Sequence, residues 1–210
     1  YTIMGAKTTM NGRSVLSSGG YLRQDTIAIP KVWDKKLTVP KTVTRQNKEI
    51  YDKLLQDKKI LYIKRGDTKS IHFVKSKTTN GKTPVQMKLA IGDQVARYLQ
   101  EGDYQIAGRQ PTLHKTSMMA FKTTMHDKKT ISIPTTVCTP LNADHDGDEI
   151  NTDLPQSTQC IAEMKYIMNA VLNVTSDEDS IPSMGLIVNG IIGAYLTSIE
   201  KELLTEEQMF

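Results

Sequence analysis

The first half of the chain contains segments with the hydrophobic spacing of a helix and segments with that of a strand. Residues 45–57 carry two pairs of apolar side chains four positions apart, which predicts an amphipathic helix. Two apolar runs, 60–63 and 71–74, flank an Arg-Gly-Asp tripeptide and predict a β-hairpin. Residues 1–30 indicate extended segments joined by turns, and the polar stretch 75–84 predicts an exposed loop. The pattern therefore predicts strands interrupted by a helix.

The second half continues with strands and then changes to a helical period. Residues 126–129 are typical of a hairpin turn leading into a strand over 130–137, and Pro134 places this strand at an edge or a bulge. Ser157 predicts the start of a helix. The apolar stripe of this helix is expected in the core and comprises Ile161, Met164, Ile167, Met168 and Val171. Three further residues are expected in the core, namely Met118, Met119 and Phe121.

Length and composition are those of a globular protein with one core and room for a small appendage. The chain has 210 residues, of which 38% are hydrophobic and 24% charged, values typical of soluble domains. The apolar stretch 186–196 is shorter than the roughly 20 residues of a membrane span, so we expect no membrane partner. Two cysteines, Cys138 and Cys160, suggest neither a disulfide framework nor a zinc site. We expect a soluble, intracellular protein, with nucleus, cytoplasm and virion all open.

The net charge of +4 hides an asymmetry between the two parts of the chain. Residues 1–75 hold 16 basic and 6 acidic side chains, whereas residues 76–210 hold 11 and 17. A basic half suits a polyanion, because neutralised phosphates release counterions. A solvated lysine-rich surface accounts for most of these lysines as well, so charge alone does not identify a nucleic-acid partner.

The strongest chemical pattern is an acidic loop, residues 142–149, with carboxylates at Asp144, Asp146 and Asp148. In extended backbone this spacing sends the three side chains to one side. Gly147 can adopt positive φ, so the segment can curl around an ion. Three carboxylates without a thiolate form a hard oxygen site that favours Mg²⁺ or Mn²⁺ over zinc.

Two other interpretations of the acidic loop compete with a magnesium site. A calcium-binding EF-hand requires glycine at its sixth position and glutamate at its twelfth, but counting from Asp144 these positions hold Glu149 and Pro155. An acidic surface turn is compatible with the same residues, since Asp and Gly are common in turns. Repulsion among three close carboxylates favours the metal site over the turn.

Two motifs, at residues 142–151 and 108–115, are specific enough to indicate a family. Residues 142–151 read NADHDGDEIN, which resembles the NADFDGDEMN signature of the largest subunit of multi-subunit DNA-dependent RNA polymerases. Residues 108–115 read GRQPTLHK, similar to the family's NRQPTLHK, and are followed by the same Ser-Met-Met stretch. Residues 5–16 and the VCTP stretch at 137–140 resemble family segments more weakly. Two specific motifs in the right order and at the right distance make a chance match an unsatisfactory explanation.

The resemblance implies an α+β, mainly β fold. Residues 1–156 are expected to form a double-psi β-barrel active-site domain, with a helix and hairpin inserted at about 44–90. Residues 157–210 are expected to begin a helical pore domain, because Gly-Ala-Tyr-Leu at 193–196 matches the start of that region in relatives. The family's bridge helix and trigger loop lie beyond the matched segment, so this chain alone is expected to be nearly inactive.

The resemblance also implies roles for individual residues. Asp144, Asp146 and Asp148 would hold one Mg²⁺, and a second Mg²⁺ would arrive with the nucleotide. Arg109 and Asn142 match family residues that contact the incoming nucleotide and its ribose. The two residues that match basic family positions near the nucleic acid are Lys7 and Arg13.

The implied activity is DNA-directed RNA synthesis, in which ribonucleotides are added to the RNA 3′ end. Implied partners are the second-largest subunit, other subunits or the rest of the same polypeptide, the DNA template, the RNA transcript and ribonucleoside triphosphates. Two alternatives stay open: an RNA-templated polymerase with a similar barrel, and a catalytically inactive nucleic-acid-binding assembly module. The intact set of aspartates argues against the inactive module, and the GRQPTLHK stretch argues against the RNA-templated enzyme.

Several positions depart from the family pattern. Gly108 stands where relatives have Asn, and His145 where they have Phe, and we expect His145 to pack rather than to bind metal. Together with Ile150 these departures indicate a divergent branch, such as a viral one. The chain lacks an initial Met and ends soon after a capping box at Thr205 and Gln208, so we expect a segment of a longer polypeptide.

Overall fold

The computed structural model describes residues 10–74, 88–176, 180–186 and 188–199. These residues contain ten strands and four α-helices. The strands are β1 (Asn11–Ser18), β2 (Thr26–Pro30), β3 (Thr38–Thr42), β4 (Ile60–Lys64), β5 (Ile71–Phe73), β6 (Gln94–Tyr98), β7 (Tyr104–Gly108), β8 (Met118–His126), β9 (Ile131–Ile133) and β10 (Glu149–Asp153). The helices are α1 (Lys48–Gln56), α2 (Cys138–Leu141), α3 (Thr158–Tyr166) and α4 (Val188–Ile199). Three predicted features lie outside the described residues: the loop 75–84, Lys7 and the capping box at Thr205.

Six strands close into a barrel in the order β1, β10, β7, β8, β2 and β9. The barrel is mixed, because β1 runs parallel to β9 and β2 parallel to β8, while the other neighbours are antiparallel. Alternating side chains of these strands fill its interior, as the period of two in a strand requires. The largest of them include Ile27, Ile29, Phe121, Ile131, Ile133 and Ile150. The expected mainly β fold with a double-psi β-barrel is confirmed.

A second sheet lies between β2 and β7 in the sequence, with strand order β3, β6, β4 and β5. Tyr51 and Leu55 of α1 are buried against this sheet, which confirms the predicted amphipathic helix. Strands β4 and β5 pair in antiparallel fashion, which confirms the predicted hairpin. Arg97 of β6 donates two hydrogen bonds, of 2.7 and 2.6 Å, to the carboxylate of Asp103 just before β7. This largely buried ion pair fixes the end of the second sheet to the start of barrel strand β7.

The predicted hairpin at residues 126–129 is wrong. β8 and β9 are separated by β2, which pairs with β8 in parallel and with β9 through Ala28 and Ser132. The strand is also shorter than the predicted 130–137, because it ends at Ile133 and a 3-10 helix follows at Thr135–Val137. Pro134 has no N–H to donate to a neighbouring strand, so the ladder stops there.

The predicted helix at Ser157 is confirmed, but its core stripe is only partly correct. The Ser157 hydroxyl accepts a 3.1 Å hydrogen bond from the backbone N–H of Cys160 and caps α3. Met164 is buried, whereas Ile167 is 66% exposed and Val171 49% exposed. The helix ends at Tyr166, and the Asn169 side chain accepts from the Val171 N–H to start a 3-10 turn, so the helical period does not continue.

The expected core at the start of β8 is confirmed for two of three residues. Met119 and Phe121 are buried, but Met118 is 38% exposed because alternate strand residues face opposite sides.

Helical segments follow the barrel, and α4 contains most of the apolar stretch 186–196. Its side chains are largely exposed, including Ile191, Tyr195 and Leu196. The assignment of 157–210 to a pore domain stays a prediction. None of the helices in the described ranges is long and apolar enough to cross a membrane.

Candidate functional site: an acidic loop at the barrel rim

Both ends of the acidic loop are held by regular structure. The short helix α2 leads into it, and Asn142 ends that helix in the left-handed conformation, with φ 48° and ψ 44°. Asparagine tolerates this conformation better than most residues. At the other end, the Leu16 N–H of β1 donates a 2.7 Å hydrogen bond to the carbonyl of Asp148, just before β10 begins. The barrel therefore fixes where the loop starts and stops.

The acidic loop is a tight turn rather than an extended segment. Gly147 has φ 123°, as its predicted conformational freedom allows. The Asp144 side chain accepts a 2.7 Å hydrogen bond from the backbone N–H of His145. The Asp148 side chain accepts a 2.9 Å hydrogen bond from the backbone N–H of Asp144. These two aspartates shape the turn, while Asp146 is exposed at its tip.

Arg109 contacts the acidic loop directly. It follows β7, where its N–H donates to the carbonyl of Ser117. Its guanidinium donates two hydrogen bonds to Asp148, of 2.6 Å from Nε and 3.1 Å from Nη2. These bonds, and then the Asp144 N–H, hold the pKa of Asp148 below its usual range, and the same contact raises the pKa of Arg109. The structure therefore brings the predicted nucleotide-contacting arginine against one predicted metal ligand.

Arg13 lies on the same side of the barrel as Arg109. The pairing of β1 with β10 sets Arg13 opposite Asn151, and its Nε donates a 2.6 Å hydrogen bond to Glu149. A cavity of about 290 Å³ lies between the two arginines. The residues that line it are Arg13, Arg109, Gln110, Gly147, Asp148, Glu149 and Asn151.

Three of these lining residues were not predicted: Gln110, Glu149 and Asn151. The alternation of β10 could have identified two of them, because Ile150 and Thr152 face the barrel interior and leave Glu149 and Asn151 on the outer face.

Asn142 lies beside a different cavity. This second cavity has a volume of about 680 Å³ and includes His114, Lys115 and Thr116 from the GRQPTLHK region. Asn142 and Arg109 therefore border two separate cavities, one at each end of the acidic loop.

Two of the three departures from the family pattern, His145 and Gly108, have local structural consequences. His145 is exposed and its Nε2 lies 3.6 Å from the Sγ of Cys138 in α2, so its packing role stays a prediction. Burial, and then the nearby charge of Asp144, raises the pKa of the Cys138 thiol. At Gly108, an added Cβ would lie 2.9 Å from Met118 Cγ and 3.2 Å from the Ser117 carbonyl oxygen. A side chain at position 108 would therefore displace Met118.

The donor chemistry of the acidic loop fits a hard divalent cation, since it supplies three carboxylates within five residues. In the described conformation these donors do not converge. Within the described ranges, no group of three or more His, Cys, Asp or Glu side chains is arranged to hold a metal ion. Asp148 is instead engaged by Arg109. The magnesium site stays a prediction.

Comparison with known proteins identifies the class to which this barrel and loop belong. Residues 5–170 match the family model described as RNA polymerase Rpb1, domain 2. The chain therefore belongs to this family of RNA polymerase largest subunits, and the resemblance of its motifs is confirmed.

Individual relatives agree with the family match. The chain is 32% identical over 203 residues to DNA-directed RNA polymerase III subunit RPC1 of Homo sapiens, covering 94% of this chain and 14% of the relative. It is 35% identical over 219 residues to DNA-directed RNA polymerase subunit Rpo1N of Methanococcus vannielii, covering 98% and 24%. It is 32% identical to Rpo1N of Sulfolobus acidocaldarius over 212 residues, covering 99% and 24%. The chain thus spans 14% to 24% of the length of these relatives.

Proposed function

We propose that the chain is the catalytic segment of the largest subunit of a DNA-directed RNA polymerase. The observation that carries this proposal is the acidic loop, which a matched family barrel holds at its rim against Arg109. The proposed reaction is nucleotidyl transfer: the RNA 3′-oxygen attacks the α-phosphorus of a ribonucleoside triphosphate, the new phosphodiester forms, and pyrophosphate leaves. The 3′-hydroxyl gives its proton to solvent water in this step.

Asp144, Asp146 and Asp148 are the proposed ligands of the catalytic Mg²⁺. When bound, Mg²⁺ supplies Lewis acidity and charge neutralisation at the reacting oxygens, and a second Mg²⁺ comes with the nucleotide. The acidic loop contributes the negative charge that attracts these ions, and β1 and α2 fix its two ends. Of the three aspartates, Asp146 lies at the tip of the turn, where it is exposed to water.

Arg109 and Asn142 are proposed to bind the incoming nucleotide. A guanidinium presents donors in a rigid fork that suits ribose hydroxyls or phosphate oxygens. The Asn142 amide offers both a donor and an acceptor to a hydroxyl. Their positions at the two ends of the loop support contacts on either side of the reacting centre.

Arg13 is proposed to contact the nucleic-acid backbone, and Lys7 is proposed to do the same. The Arg13 side chain is 59% exposed on the face that carries Arg109, although it pairs with Glu149. A phosphate would compete with that carboxylate for the guanidinium. The template, the transcript, the second-largest subunit and the rest of the largest subunit complete the proposed assembly, and the isolated chain is expected to be nearly inactive.

Extension of an RNA primer by the purified polymerase tests this function. The complex is supplied with ribonucleotides and either a DNA or an RNA template, with Mg²⁺ or with a chelator. We expect Mg²⁺-dependent extension on DNA. Extension on RNA alone would identify an RNA-templated polymerase instead, and no extension on either template would favour an inactive assembly module.

A further inference from the structure

The contact between Arg109 and Asp148 uses both oxygens of the carboxylate. Asp148 Oδ1 accepts from Arg109 Nη2 at 3.1 Å, and Oδ2 accepts from Arg109 Nε at 2.6 Å and from the Asp144 N–H at 2.9 Å. The two side chains are only 22% and 20% exposed. These bonds occupy three of the roughly four acceptor sites of the carboxylate, so a divalent cation that binds Asp148 competes with the Arg109 fork for the same two oxygens.

The negative charge of the acidic loop attracts the Arg109 guanidinium. Asp144, Asp146 and Asp148 place three negative charges within five residues, and like charges this close repel one another. A guanidinium on Asp148 offsets part of that repulsion. Arg109 also experiences the negative charge of Asp146, which contributes to its raised pKa.

We propose that Arg109 is a positioning residue that holds Asp148 in place of a divalent cation and is released when the cation binds. This inference rests on the proposed function, because it concerns the same metal and nucleotide. Release of Arg109 by the cation frees the guanidinium fork at the edge of the cavity that it shares with Arg13. Metal binding and nucleotide binding are thereby coupled through one side chain. Asp148 therefore binds Arg109 before the cation arrives and binds the cation afterwards.

Arg109 could instead help the metal to bind, and the two roles predict opposite changes in metal affinity when Arg109 is removed. If Arg109 competes with the metal, its removal strengthens metal binding, because a bound competitor is lost. If Arg109 only preorganises the acidic loop for the metal, its removal weakens metal binding. The sign of the change in metal affinity therefore separates the two roles.

The experiment maps metal occupancy without using polymerase activity. Fe²⁺, hydrogen peroxide and a reductant are added to the complete polymerase without nucleic acid or nucleotide. Bound Fe²⁺ reduces the peroxide to hydroxide and a hydroxyl radical that cuts the backbone nearby, and the reductant regenerates Fe²⁺. With Fe²⁺ held well below its own dissociation constant, Mg²⁺ is then titrated as a competitor, and the Mg²⁺ concentration that halves cleavage at the acidic loop is measured. We expect Arg109→Gln to lower this concentration at least about threefold, as loss of a partly exposed ion pair allows. Arg109→Lys, which keeps the charge but cannot form the fork, is expected to give a smaller decrease.

Arg13→Gln is the matched control. It removes the same charge from the same cavity, but its ion pair is with Glu149 and not with an aspartate of the loop. We expect it to change the Mg²⁺ concentration less than about twofold. Equal effects of Arg109→Gln and Arg13→Gln would overturn the inference, as would unchanged or weaker binding in Arg109→Gln. Absence of loop cleavage in the unsubstituted polymerase would overturn both the proposed metal site and this inference.

Discussion

Asp146→Ala in the complete polymerase is expected to reduce nucleotide addition at least about a thousandfold, because metal-assisted stabilisation supplies several kcal/mol to such reactions. The hydrogen bonds that shape the acidic loop are made by Asp144 and Asp148, whereas Asp146 is exposed at the tip of the turn. Removal of the Asp146 carboxylate therefore removes a proposed metal ligand without removing a bond that holds the turn.

The measurement is single-nucleotide extension of an RNA primer on a DNA template at saturating Mg²⁺. Asp127→Ala is the control, since Asp127 is a fully exposed carboxylate between β8 and β9 with only a 3.9 Å contact to Lys31. We expect this control to extend the primer at the unsubstituted rate. Equal rates for Asp146→Ala and the unsubstituted polymerase would refute the assignment of the loop.

Phe121→Ala is expected to destabilise the barrel by about 3–5 kcal/mol, the usual cost of deleting a buried aromatic ring. Phe121 has no exposed surface and lies near the middle of β8, opposite Gln105 of β7 and one residue before β8 begins to pair with β2. The ring fills the barrel interior together with Ile27, Ile29 and Ile150. Its loss leaves a cavity that the closed strand ladder cannot collapse around.

Amide hydrogen exchange in the assembled polymerase measures this effect. The free energy of opening of β8 amides is expected to fall in Phe121→Ala by the stated amount, with smaller losses in β2 and β7. Met118→Ala serves as the control on the same strand, because Met118 is 38% exposed, and a loss below about 1 kcal/mol is expected there. Full protection of β8 in Phe121→Ala would show that Phe121 does not support the barrel.

Local patterns predicted the features that depend on neighbouring residues. The helix α1, the hairpin β4–β5 and the Ser157 cap each arise from interactions within a few residues, and all three are confirmed. The barrel itself was expected from two motifs that resemble a family, and not from periodicity. Its strand order depends on contacts between distant segments, which hydrophobic alternation does not encode.

The wrong predictions share the same cause. The segment 126–129 has the composition of a hairpin turn, but β2, about a hundred residues earlier, inserts between β8 and β9. The apolar residues Ile167 and Val171 continue a helical spacing beyond Tyr166, yet the Asn169 side chain begins a new turn there. In both places the local pattern gave the wrong structure, because the spacing of residues does not show the pairing with β2 or the cap formed by Asn169.

The sequence proposed the residues of the candidate site, but it did not indicate which of them pair. Spacing and resemblance selected the three aspartates and Arg109, and the structure places Arg109 on Asp148 across 39 residues of sequence. The Arg13–Glu149 pair spans 136 residues and follows only from the register of β1 with β10. Opposite charges at such separations are too numerous in this chain for the sequence to indicate which of them meet.

The central claim is that the acidic loop binds the catalytic cation, and anomalous X-ray scattering from Mn²⁺ in crystals of the complete polymerase tests it most directly. We predict an anomalous peak in contact with the carboxylate oxygens of Asp144, Asp146 and Asp148, and its loss in crystals of the Asp146→Ala polymerase. Manganese bound elsewhere, with these three carboxylates free of it at saturating concentration, would contradict the claim.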